Sequence, residues 1–125
     1  MYPMKKVLVA EDSSVIQNLT KKILQFQNYE IKGVKNGKEV LKTLENETFD
    51  IILMDINMPQ MDGMQCIKEL RAHPNQAVAS IPVVAITGNA KNYTEEEFKQ
   101  AGFTGYLCKP LDFDKLVDTV KKLTQ

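Results

Sequence analysis

Cysteine is scarce, histidine nearly absent and net charge nil in this chain of 125 residues, and each deficit removes a class of function. Two cysteines, Cys66 and Cys108, offer neither a disulfide framework nor a metal-ligand spacing, so both read as small apolar residues. The lone histidine, His73, stands beside Pro74 at a helix end, where a cap or a dipole-stabilising cation is the ordinary role rather than a phosphodonor. Sixteen basic side chains balance sixteen acidic ones, leaving no overall electrostatic footprint for nucleic acid or anionic membrane. Apolar runs such as Ile51 to Met54 fall far short of the roughly 20 residues that span a bilayer, and Met1 to Ala10 lacks a signal-peptide core. A cytoplasmic protein with no direct nucleic-acid or membrane contact is expected. No repeat, linker or low-complexity tract interrupts the chain. With 43% apolar residues, positions 1–125 are expected to close around one core as a single domain, leaving any effector to another chain or to a parent protein.

What is present is alternation of element type. Val7-Leu8-Val9-Ala10, Ile51-Ile52-Leu53-Met54 and Val83-Val84-Ala85-Ile86 are short apolar runs without alternation, as strands buried on both faces read. Glu30 to Val34 and Gly105 to Cys108, bounded by turn residues and Pro110, complete five strands. Between them fall five segments of helical period. Val15, Ile16, Leu19, Ile23 and Phe26 share one stripe behind an N-cap at Ser13 or Ser14. Val40, Leu41 and Leu44 mark a second helix, and Met64, Ile67 and Leu70 a third ending by Pro74. Thr94-Glu95-Glu96-Glu97 reads as a capping box opening a fourth helix that Gly102 closes, and Phe113, Leu116, Val117, Val120 and Leu123 line a fifth. Five βα units with right-handed crossovers close most simply as an α/β fold, an open parallel sheet doubly wound by helices on both faces.

Such sheets bind ligands beyond the carboxyl ends of their strands, so the residue following each apolar run is the informative one. Strand one runs into Glu11-Asp12, strand three into Asp55, strand four into Thr87 and strand five into Lys109. Singly, each has a plain structural role: a helix cap, a turn residue, a β-branched strand end, a surface charge. Together they would set three carboxylates in one cleft, where mutual repulsion raises the cost of ionisation. A hard divalent cation resolves this, and Mg²⁺ prefers one or two carboxylates with waters and a phosphoryl oxygen. Asp12 and Asp55 suit direct ligation, while the longer arm of Glu11 suits contact through water. Lys109 adds a second positive charge and Thr87 a hydroxyl donor, which together answer the alignment and neutralisation that phosphoryl transfer requires. A carboxylate facing the cleft can then serve as nucleophile.

The segment Met54-Asp55-Ile56-Asn57-Met58-Pro59-Gln60-Met61-Asp62-Gly63, the pair Glu11-Asp12, Thr87-Gly88 and Lys109-Pro110, each after its own strand, together resemble a response-regulator receiver domain over roughly Lys5 to Leu123. The resemblance implies the flavodoxin-like strand order 2-1-3-4-5, with Asp55 as phosphoacceptor. It implies a Mg²⁺ site, open to Mn²⁺ as substitute, made by Asp12, Asp55, the main-chain carbonyl of Asn57 and Glu11. Thr87 and Lys109 would contact the phosphoryl group, Tyr106 would change burial in step with Thr87, and the peptide before Pro110 would be cis. The phosphodonor would be a sensor histidine kinase or a histidine phosphotransfer protein. The output face would comprise the fourth helix, fifth strand and fifth helix, with Lys91, Glu95 and Lys115 as exposed candidates for partner contact. Gly88 departs from the alanine common there. Asn57 and Asn89, neither bulky nor charged, lead to an expectation of fast self-dephosphorylation.

Three other readings compete. An aspartate-nucleophile phosphatase would be an enzyme turning over external esters, but its second aspartate, the general acid, is replaced by Asn57. A flavodoxin-like FMN binder needs a Gly, Ser and Thr-rich loop after the first strand, where this chain has Glu11-Asp12. A pseudo-receiver would bind partners without phosphorylation, against which all five site positions stand. Met54, Met58, Met61 and Met64 read as packing around the loop after Asp55, and Lys121 and Lys122 as a solvated helix end.

Overall fold

The computed structural model describes residues 4–88 and 93–125. The elements run β1 (Lys6–Ala10), α1 (Ser14–Phe26), β2 (Glu30–Val34), α2 (Gly37–Leu44), β3 (Ile51–Asp55), α3 (Gly63–Arg71), α4 (Gln76–Ala79), β4 (Val83–Thr87), α5 (Glu95–Ala101), β5 (Gly105–Cys108) and α6 (Phe113–Leu123). All five strands are parallel in the order β2-β1-β3-β4-β5. The three apolar runs become the central strands; every residue of β3 and β4 is buried, whereas the edge strand β5 alternates between half-buried and exposed.

Alternate residues on each strand feed two cores. On one face Val7, Val9, Ile51, Leu53, Val84 and Ile86 meet Leu24 of α1 and Leu116 and Val120 of α6. On the other, Leu8, Ile52, Met54, Val83 and Ala85 meet Val40 of α2, Ile67 and Leu70 of α3, and Phe98 of α5. Burying each large side chain contributes about 1.5–3 kcal/mol, so the central strands are held on both faces and their carboxyl ends are fixed in place by the core.

Two expectations need correction. The described residues form six helices, not five: after Pro74, the Asn75 side chain accepts from the Ala77 N–H and opens the four-residue α4. Only Val78 of that turn is buried, too little apolar periodicity to register in the sequence. The apolar stripe of α1 is also not its buried face. Val15 is 77% exposed and Phe26 86%, while Gln17, Thr20 and Leu24 face the sheet. The polar pair goes inside because its hydrogen bonds are met there: the Gln17 amide donates to the carbonyls of Glu11 (3.2 Å) and Val34 (2.8 Å), and the Thr20 hydroxyl to that of Ile16 (2.8 Å). The caps follow expectation, with Ser13 accepting from the Ile16 N–H and a full capping box between Thr94 and Glu97. Gly102 ends α5 at φ 115°, left-handed backbone that favours glycine.

Candidate functional site

Backbone bonds between neighbouring strand ends set the cleft. The Glu11 N–H donates to Val34, that of Ile56 to Ile86 and that of Lys109 to Thr87, at 3.0, 2.9 and 2.8 Å, so the residues leaving β1, β3, β4 and β5 lie side by side. Gly63 brings the start of α3 against the end of β3; a Cβ there would stand 2.8 Å from the Asp55 carbonyl oxygen and 2.9 Å from the Ile56 Cα, distances no side chain tolerates. Lys109 and Pro110 are joined by a cis peptide, as expected.

The side chains converge as the sequence predicts. Carboxylate oxygens of Glu11, Asp12 and Asp55 all lie within 4.8 Å of one another. Glu11 and Asp55 are buried, at 3% and 2% exposure, and Asp12 faces solvent. The Lys109 ammonium donates to Asp55 Oδ2 at 2.8 Å and pairs with Glu11 Oε1 at 3.2 Å. The Asn57 N–H donates to Asp55 Oδ1 at 3.0 Å, and the Ser13 N–H to Glu11 Oε2 at 3.1 Å. Thr87 ends β4 beside Lys109, whose N–H its carbonyl accepts, and is buried.

Electrostatics follow from this crowding. Burial, reinforced by the neighbouring Asp55, pushes the Glu11 carboxyl up to about 7. For Lys109, burial alone would lower the ammonium, but the contacts with Asp55 and Glu11 outweigh it and hold the group above its ordinary value. Among the described residues Lys109 pairs with two of the three clustered carboxylates, leaving an excess of hard anionic oxygens, the donor set of Mg²⁺ or Mn²⁺. Cys66 takes no part: burial pushes its thiol up to about 12.

Tyr106 does not join the group. The residue is 37% exposed and its ring stacks on Phe98, with centroids 5.5 Å apart and planes at 23°. Glu95 and Lys115 are exposed on α5 and α6, which are the expected fourth and fifth helices. Asn89 and Lys91 lie outside the described residues. Gly88 needs no special conformation, since an added Cβ would rest 3.8 Å from Lys109 Cδ in ordinary contact. The residue missed from sequence is Gln17, which ties the Glu11 carbonyl to β2. A glutamine inside an amphipathic helix was the available signal, masked by the stronger apolar stripe beside it.

The profile of the response regulator receiver domain matches residues 7–121. The polar-differentiation response regulator DivK of Brucella anthropi is 31% identical over 117 residues, spanning 94% of each chain. The CAI-1 autoinducer sensor kinase/phosphatase CqsS of Vibrio cholerae is 31% identical over 116 residues; they are 93% of this chain but only 17% of that protein's length. Among solved structures, the receiver domain of the sensor histidine kinase PA1611 from Pseudomonas aeruginosa, with a magnesium ion coordinated in its active-site cleft, superposes with a TM-score of 0.87 at 30% identity, covering 98% of both chains.

Proposed function

Because this chain belongs to the response regulator receiver domain family, the phosphoryl-accepting modules of two-component signalling, we propose that Asp55 is its phosphoacceptor and that a sensor histidine kinase or histidine phosphotransfer protein is the donor. The carrying observation is the Asp55 carboxylate itself. It stands at the carboxyl end of the central strand, 2% exposed, with one oxygen fixed by Lys109 and the other by the Asn57 N–H.

In the proposed step, a carboxylate oxygen of Asp55 attacks phosphorus as the P–N bond of the donor phosphoimidazole breaks, and the nitrogen leaves with the electron pair. Lys109 neutralises an equatorial oxygen and the Thr87 hydroxyl donates to another. Asp12, Asp55, the Asn57 carbonyl and Glu11 would hold Mg²⁺, which supplies further neutralisation of those oxygens. Hydrolysis reverses the loading: water attacks phosphorus and the acyl O–P bond breaks. No external substrate is turned over. The site is proposed to work in the cytoplasm, with output through another protein. The test is incubation with a small phosphodonor: intact mass should show one phosphoryl adduct with Mg²⁺ and none with chelator, and a wild type inert in both would overturn the reading.

Asp12→Ala should weaken Mg²⁺ binding at least tenfold, and Glu11→Ala several-fold less, because a carboxylate acting through water loses less than a direct ligand. NMR titration of the two variants ranks them; equal losses would overturn the assignment of the inner shell.

Thr87 and Tyr106 are proposed to carry the signal to the face of α5, β5 and α6. A phosphoryl oxygen beside Thr87 offers its hydroxyl a charge-assisted hydrogen bond, which contributes about 1.5–3 kcal/mol against about 0.5–1.5 kcal/mol for a neutral one. Drawing Thr87 toward it opens the sheet face along which Tyr106 can turn. Beryllofluoride with Mg²⁺ should therefore shift amides around Tyr106 in the wild type and leave them in place in Thr87→Ala, although both bind the mimic. Identical distant shifts in the two proteins would remove Thr87 from the pathway.

A further inference from the structure

We infer that Phe98 is the latch that holds Tyr106 in its outward position, and hence that the α5 aromatic cluster sets how readily this receiver switches. The inference rests on the proposed Thr87–Tyr106 coupling and adds to it the residue that opposes it. Phe98 lies at the centre of three rings: it stacks on Tyr106 at 5.5 Å, meets Phe103 edge-on at 5.8 Å and tilts against Tyr93 at 5.5 Å. It is 2% exposed, so its own position is settled by the core and not by solvent.

The backbone around it is pinned as well. Arg71 donates from α3 to the carbonyl of Gly102, the cap of α5, at 2.8 Å, and to the carbonyls of Ala79 and Ile81 at 2.8 and 2.7 Å. The end of α5 that carries Phe98 is thereby tied to α3 and to the approach to β4. Tyr106, by contrast, stands on an edge strand. In register it pairs with Ala85, and Thr87 pairs with Cys108, so Ala85, Thr87 and Tyr106 share one face of the sheet. On that face Ala85, a small and fully buried residue, pairs with Tyr106 and stands two residues before Thr87, and the proposed inward turn runs along this face. Turning along it separates Tyr106 from Phe98, so each inward movement gives up a stacked pair that the outward position retains. Such pairs shift an equilibrium roughly two- to tenfold beyond their buried area. Because linkage is reciprocal, whatever favours the inward ring must tighten phosphoryl-mimic binding by the same factor.

Phe98→Leu and Phe98→Met keep an apolar side chain and remove the ring; Phe103→Leu removes a ring that contacts Phe98 without the stacked contact to Tyr106. Thermal melting establishes that each variant is folded. Without mimic, the amides of β5 in both Phe98 variants should move part-way along the line joining free and beryllofluoride-saturated wild type. Their mimic affinity should rise roughly two- to tenfold, whereas Phe103→Leu should do neither. A residue with only a structural role would weaken mimic binding when removed, not strengthen it. If Tyr106 moves with mimic in the wild type but the Phe98 variants sit at free wild-type positions with unchanged or weaker affinity, the latch is wrong and the Thr87–Tyr106 coupling stands. If the wild-type ring does not respond to mimic at all, the coupling fails and the latch falls with it.

Discussion

Asp55→Asn is expected to take up no phosphoryl group from any donor while keeping the fold intact. Uptake fails because the amide oxygen is a poor nucleophile toward phosphorus and the substitution removes the anion that Lys109 and the Asn57 N–H hold in place. Folding survives because Asn is close to isosteric, and Lys109 retains Glu11 at 3.2 Å, so its ammonium is not left without a counter-charge. Relief of carboxylate crowding should leave the melting temperature equal to or above that of the wild type. Intact-mass analysis with a small phosphodonor and Mg²⁺, beside a melting curve, checks both halves. An adduct equal to the wild type's would move the nucleophile elsewhere, with Glu11 and Asp12 the alternative carboxylates within 4.8 Å.

Glu11→Gln should stabilise the metal-free protein at alkaline pH by about 2 kcal/mol, or roughly 5–10 °C in melting temperature for a domain of this size. The sign follows from linkage. Burial raises the Glu11 carboxyl from 4.5 to about 7 in the folded chain. Its ionisation is therefore harder folded than unfolded, and stability present below about 4.5 is lost as pH rises through about 7. Above that pH the wild type carries the full penalty, and the neutral amide carries none. The advantage of Glu11→Gln should thus be near zero at pH 4.5, grow across the interval and level off by pH 8. Melting curves in chelator across this range read it directly. A gain of equal size at pH 4.5 and pH 8 would assign it to packing and not to charge.

The strands and the residues at their carboxyl ends, Glu11, Asp12, Asp55, Thr87 and Lys109, were legible because each signal is local. A run such as Ile51-Ile52-Leu53-Met54 announces a strand covered on both faces, and the residue after it must emerge at the sheet's carboxyl end. Helix caps at Ser13 and Thr94 were legible for the same reason, since a cap is settled within one turn. The inward face of α1 was not, because it depends on partners far along the chain. Gln17 is buried by virtue of the Val34 carbonyl on β2, and nothing near Gln17 in sequence announces that acceptor. Val15 and Phe26 share the apolar stripe that periodicity marks, yet they face solvent. Helix α4 carries one buried residue, fewer than a periodic pattern needs. The strand order came from resemblance, since parallel crossovers leave no mark of which strand they pass. The stacking of Tyr106 on Phe98, set by an edge strand meeting a helix, was likewise invisible until both were placed.

The central claim, that the phosphoryl group resides on Asp55, is tested most directly by chemical trapping in the unmodified protein. Borohydride reduces an aspartyl phosphate to homoserine and leaves phosphoserine, phosphothreonine and free carboxylates unchanged. Wild type loaded with a small phosphodonor and Mg²⁺, reduced and digested, should yield homoserine at position 55 and at no other aspartate, with the signal abolished by chelator. Homoserine at position 12, or a phosphoryl group that persists on a hydroxyl or imidazole after reduction, would contradict it.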